Sequence, residues 1–168
     1  MGGSSSRRTI DLLESARPND CTWWTPQVTD SIVKIIDVYN GDCLTGLCII
    51  DGNMRKYSLK LSGIECPDLR GRDAHERMCA SFVKELVLQL SMNKICTITQ
   101  HGTDKYRRIL CDILLPSGHD LATILLDHKL ARPYSGGARV AFDYHELEKI
   151  KNAIGTHQSR CDLVLSCI

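Results

Sequence analysis

"MRKYSLKLSGIECPDLRGRDAHERMCASFVKELVLQL", Met54 to Leu90, decides the fold. Its first third alternates: Tyr57, Leu59 and Leu61 share one face, and Lys56, Ser58, Lys60 and Ser62 share the other. A period of two predicts a half-buried strand. The last third changes period. From Asp73 to Leu90 the apolar residues Met78, Phe82, Val83, Leu86 and Leu90 recur at helical spacing, which predicts a helix. Between strand and helix lies a polar connector, with Glu65 and Asp68 straddling Pro67, and Arg70 and Arg72 close behind.

Outward from that stretch, "SIVKIIDVY" and "CLTGLCII" read as two preceding strands, rich in β-branched residues. Asp51-Gly52 is a hairpin signal between the second strand and the third. After the helix, "KICTITQ" and "RILCDILLP" read as two more strands. A short helix is expected over Leu121 to Leu130, with Asp120 as N-cap. A last helix is expected over Val140 to Ile154, with Val140, Tyr144, Leu147, Ile150 and Ile154 as its stripe and Gly155 as its C-cap. Three strands, a helix, two strands and two helices predict an α+β, mainly β fold. That fold is a five-stranded Greek-key barrel of the oligonucleotide- and oligosaccharide-binding (OB) type, with about three helices.

Composition limits the function less than it limits the architecture. The 168 residues are 43% hydrophobic, enough for one core, and the formal net charge is +1. No overall positive field therefore points to nucleic acid, and such a case has to rest on local clusters. No apolar run is long enough to span a bilayer, and the start "MGGSSSRR" has no apolar stretch behind it, so no cleavable signal peptide is expected. The nine cysteines are odd in number and contain no C-x-x-C pair. That argues against a disulfide framework, a disulfide-linked partner or a zinc site, and for an intracellular, reducing (cytoplasmic) compartment.

Residues 1–28 read as an N-terminal arm, 29–156 as the barrel domain, and 157–168 as an apolar C-terminal tail. Trp23 and Trp24 stand out in the arm, either pinning it to the domain or facing a partner. "MGGSSS" also fits the N-myristoylation pattern, with Gly2 as the acylated residue and a membrane surface as the implied partner; Arg7 and Arg8 follow.

Three segments bring charge that a barrel can gather. Asp42 follows a glycine in "VYNGDCL"; Lys60, Glu65 and Asp68 lie in "LKLSGIECPD"; Lys105, Arg107 and Arg108 lie in "DKYRRIL". Hard cations such as calcium take several oxygens, mostly from carboxylates, carbonyls and water. Phosphodiester hydrolysis needs such a cation, a base for water, and positive groups aimed at the phosphate. The same residues also suit a turn and two solvated flanks, and spacing does not separate the readings.

These segments, with "LLDHKLARPYSGGAR", resemble the staphylococcal nuclease (thermonuclease) family in four motifs, in order, from about Ile32 to Ile154. The turn is similar to V-x-D-G-D-T, the connector to R-L-x-G-I-D-A/T-P-E, the third segment to D-K-Y-G-R, and the fourth to a form found in many relatives. The resemblance implies an OB-type barrel and calcium-dependent cutting of single- or double-stranded DNA and RNA with little sequence specificity. One Ca2+ ion is implied, with Mg2+ or Mn2+ as substitutes. It implies metal-binding roles for Asp42, Glu65 and the backbone carbonyl of Cys66. It implies that Lys60 and Arg108 grip the scissile phosphate, that Asp68 is the general base, and that Tyr134 and Lys105 border the substrate. The chain departs from the pattern at Asn40, Lys60, Glu65, Cys66 and Asp68. A weakened nuclease is therefore expected, and the alternative is an inactive barrel that binds nucleic acid or a protein partner.

Overall fold

A computed structural model of the chain describes residues 31–50 and 53–156. The arm with Gly2, Trp23 and Trp24, the Asp51-Gly52 turn and the tail lie outside the described residues. The strands are β1 (Ser31–Asn40), β2 (Cys43–Ile50), β3 (Asn53–Leu61), β4 (Ile64–Glu65), β5 (Ile95–Thr103), β6 (Ile109–Leu114) and β7 (Arg132–Pro133); the helices are α1 (Ala74–Ser91), α2 (Leu121–Asp127) and α3 (Tyr144–Thr156). Five strands close a barrel in the order β1-β2-β3-β6-β5, and β4 and β7 form a separate two-stranded ribbon. All barrel pairings are antiparallel except β3 with β6, which is parallel, and β5 pairs back to β1. The result is a mixed, mainly β barrel with three helices among the described residues, of the OB-fold-like α+β class.

Alternation builds the interior. Leu59 and Leu61 of β3 are fully buried, as the period of two predicts. In β1 the register slips between Ile35 and Asp37 and again between Val38 and Asn40. An extra residue in one strand turns the side chains after it to the other face. The first slip brings Val38 inside after Ile35, and Asn40 is buried at the strand's end.

α1 lies between the third and fourth barrel strands and closes one end of the core. Asp73 caps it, accepting from the His75 amide at 2.9 Å. Its buried face runs through Cys79, Val83, Leu86, Val87 and Leu90. Met78, expected on that face, is instead 49% exposed. The stripe is centred one residue later, because the small Cys79 acts as an apolar member.

Both later helices differ from expectation at one end. α2 starts after Asp120, which accepts from the Thr123 amide at 2.7 Å, but it stops at Asp127 rather than Leu130. Lys129 turns left-handed (φ 57). The Leu130 amide donates to the Leu125 carbonyl at 2.8 Å, and the Lys129 amide to Leu126 at 2.9 Å. Such a pair of bonds ends a helix, usually with glycine at the left-handed residue. α3 starts at Tyr144, not Val140. Asp143 Oδ1 accepts from the Glu146 amide at 2.8 Å, while Glu146 Oε2 accepts from the Asp143 amide at 2.9 Å. This reciprocal capping box sets the start. Val140 therefore lies outside the helix and is exposed, as is Tyr144 at its first turn, while Leu147 and Ile150 enter the core. Gly155 falls within the helix rather than capping it.

Candidate functional site

The β1–β2 turn places the first acid. Asn40 pairs with Cys43 across a two-residue turn of Gly41 and Asp42. A Cβ on Gly41 would stand 2.5 Å from Val83 Cγ1 and 3.0 Å from Cys66 Sγ, so only glycine lets the turn press onto α1 and the connector. Asp42 is thereby almost fully buried. Its Oδ2 accepts from the Cys66 amide at 3.1 Å and pairs with Lys60; its Oδ1 lies 3.1 Å from the Cys43 thiol. Lys60 arrives because β3 is paired opposite Cys43.

The ribbon places the second acid. β4 pairs with β7 so that Glu65 faces Arg132, and the Tyr134 amide donates to the Gly63 carbonyl at 2.8 Å. Glu65 is buried, with Oε2 at 2.6 Å from Arg132 and Oε1 at 3.2 Å from Arg139. Arg132 is itself fixed: it pairs with Glu146 at 2.8 Å, donates to the Val140 carbonyl and lies 4.0 Å over the Phe142 ring. Asp68 follows on the connector. Its amide donates to Glu76 Oε1 at 3.1 Å, its Oδ1 accepts from the Arg70 amide at 2.8 Å, and its Oδ2 pairs with Arg139. Burial alone would raise the Asp68 carboxyl, but the Arg70 amide and the Arg139 guanidinium outweigh it and hold its pKa below the ordinary carboxylate value.

The β5–β6 connection supplies the cations. Asp104 Oδ2 accepts from Arg108 Nε at 2.7 Å and lies 2.6 Å from Nη2; its Oδ1 takes the amides of Tyr106 and Arg108. Arg108 Nη1 reaches Cys43 Sγ at 3.0 Å. Burial, then the neighbouring Asp42, pushes the Cys43 thiol up to about 12, against the pull of Lys60 and Arg108. Lys105 and Arg108 lie 5.1 and 5.3 Å over the Tyr106 ring. Tyr134 donates its hydroxyl to the Gly137 carbonyl at 2.8 Å.

The acids Asp42, Glu65 and Asp68 and the cations Lys60, Lys105, Arg108 and Arg139 line one cavity of about 710 Å³, while Arg132, Glu76 and Glu146 stand behind its wall. It gathers Asp42, Lys60, Glu65, Cys66, Asp68, Lys105, Arg108 and Tyr134, the residues singled out from the sequence. It adds Asn40, Arg70, Asp104, Arg139 and the exposed Tyr39, whose ring lies 5.5 Å from the Arg70 guanidinium. Arg132, Glu76 and Arg139 were not singled out as site residues. Arg132 and Arg139 belong to the "ARPYSGGAR" segment, which was the available signal; Glu76 left none beyond its place in the first turn of a helix.

The donors suit a hard cation. Asp42 and Glu65 offer buried carboxylate oxygens, and Asn40 Oδ1, lining the same cavity, is buried with no hydrogen-bond partner. As they stand, however, Lys60 and Arg139 occupy these carboxylates, and among the described residues no group of three or more His, Cys, Asp or Glu is arranged to hold a metal. Asp42, Glu65 and Asn40 are the oxygens a hard cation would take, and Lys60, Arg139 and Arg132 stand on the two carboxylates. The six cysteines among the described residues are free thiols and buried, and no described helix is long and apolar enough to cross a membrane. Compared with known proteins, the chain matches no family model and no curated protein.

Proposed function

We propose that the chain is a calcium-dependent nuclease of the staphylococcal nuclease type, hydrolysing phosphodiester bonds of single- or double-stranded DNA and RNA with little sequence specificity. One observation carries this reading: the acids and bases of four separate segments converge on a single open cavity of an OB-like barrel. Lys60 and Arg108 bind the phosphate, and Lys105 and Tyr134 border the adjoining nucleotide. Asp68, ionised at neutral pH, takes a proton from the attacking water as the water oxygen bonds phosphorus; the P–O ester bond breaks and the departing oxygen takes a proton from solvent. Asp42, Glu65, Asn40 and the Cys66 carbonyl are the groups that would hold calcium. When bound, that ion supplies charge for the pentacoordinate phosphorus. Lysine at position 60 offers a compact charge where arginine offers a fork, so activity below the family's is expected.

A second reading has its own support. With Lys60 on Asp42 and Arg139 on Glu65 and Asp68, the acids are already neutralised without a metal, as suits a barrel that binds nucleic acid or a protein partner and does not cut. Single-stranded DNA and RNA incubated with calcium, magnesium, manganese or chelator decide between them. A nuclease cuts with metal and stops with chelator. Retention on nucleic acid with no cutting in any metal overturns the nuclease reading. Within the same proposal, the free buried thiols support a reducing, intracellular setting. Gly2 acylation with membrane attachment is tested by mass spectrometry of the protein from cells, where an unmodified N-terminus rejects it.

A further inference from the structure

We propose that Arg139 is a built-in counter-ion of the acid cluster, one that a divalent cation must displace. The inference rests on the calcium reading above. One guanidinium serves three carboxylates from three parts of the fold. Arg139 Nε lies 3.2 Å from Glu65 Oε1 on β4, Nη1 pairs with Asp68 on the connector, and Nη2 lies 3.2 Å from Glu76 Oε1 on α1. The β7–α3 loop delivers it through Gly136 and Gly137 at φ 96 and 103, a conformation that L side chains rarely adopt.

The contrast with Arg132 assigns the roles. Both arginines hold Glu65. Arg132 is 20% exposed and anchored by Glu146, the Val140 carbonyl and the Phe142 ring. Arg139 is 43% exposed, and one of its three partners, Glu65, is a carboxylate that the metal would take, while Asp68 and Glu76 flank it. A dication and a guanidinium compete for the same oxygens, and the group with the weaker tether leaves. Arg132 stays and keeps Glu65 aimed. Arg139 is thus a positioning residue that sets how tightly the cavity takes a metal.

Calorimetric titration of calcium into the metal-free full chain tests this for wild type, Arg139→Gln and Arg139→Lys. Arg139→Gln is expected to bind calcium roughly three- to tenfold more tightly, since the partly exposed guanidinium that competes for Glu65 is lost. Arg139→Lys should fall between, keeping the charge and losing the fork. A residue that only supports the fold would lower the melting temperature without tightening calcium binding, and unchanged or weaker calcium affinity in Arg139→Gln overturns the proposal. If wild type binds calcium and cuts nucleic acid while Arg139→Gln binds no more tightly, this inference alone fails. If none of the three binds calcium and wild type does not cut, the calcium reading fails and takes the inference with it.

Discussion

Arg108 owes its aim to Asp104. The carboxylate occupies Nε and Nη2 and, through its other oxygen, the amides of Tyr106 and Arg108, so that only Nη1 points on to Cys43 and the cavity. Arg107, left-handed at φ 62, makes the bend that allows it. Burial would raise the Asp104 carboxyl, yet the Arg108 amide, the Arg108 guanidinium and the Tyr106 amide together bring it below the ordinary 3.8. A carboxyl whose pKa is lower folded than unfolded stabilises the fold above the unfolded value, and that contribution drains away as pH falls through 3.8 and past the folded value. Asp104→Asn should therefore be less stable than wild type at pH 7, and the gap should narrow as pH falls below 3.8. Urea denaturation followed by circular dichroism measures both; a gap that does not narrow would mean that the charge is not the source. At neutral pH the same change should lower cutting by about 100-fold, the cost of an arginine moved by about 1 Å.

At the scale of elements, the ends of the helices hold the site as much as their bodies do. Asp143 and Glu146 close a capping box at the start of α3, and Glu146 also takes Arg132, which in turn holds Glu65. Asp143→Ala is expected to cost about 1 kcal/mol, the usual loss of an N-cap side chain, read as a lowered denaturant midpoint. Asp143→Ser should recover most of it, and no difference between the two would mean that the cap is not in use. This start was readable in principle, since Asp-x-x-Glu stands in the sequence before Leu147. The apolar Val140 masked it by extending the helical spacing by one turn. The end of α2 was not readable. A left-handed residue ends that helix, and here it is Lys129, where a glycine would have announced it. β4 and β7 are too short to leave a period of their own.

For the molecule as a whole, five strands and their order around α1 were legible because β3 alternates cleanly and the other strands stand out as short runs rich in β-branched residues. The acids and cations of the cavity were visible as three charged segments, but spacing alone did not separate a site from a turn and solvated flanks; only the resemblance of four motifs did. What local patterns do not hold is the partner across the chain. Arg139 meets Asp68 from 71 residues away, and no spacing rule connects them. The closure of β3 on β6 is of the same kind. Leu59 pairs with Ile109 in parallel, across a helix and a whole strand, and a parallel pair needs such a long connection. Long-range pairings form late, because the chain must lose the freedom of the intervening loop before the contact repays it. Lys60 sits on one side of this seam and Arg108 at the mouth of the other. During refolding from urea, oligonucleotide binding should then appear only with the last phase of recovered ellipticity, and binding in the first phase would contradict it. If Lys60 and Arg108 hold phosphate as proposed, a nascent or half-folded chain has no such clamp, and nucleic acid meets the finished pocket only after the barrel has shut.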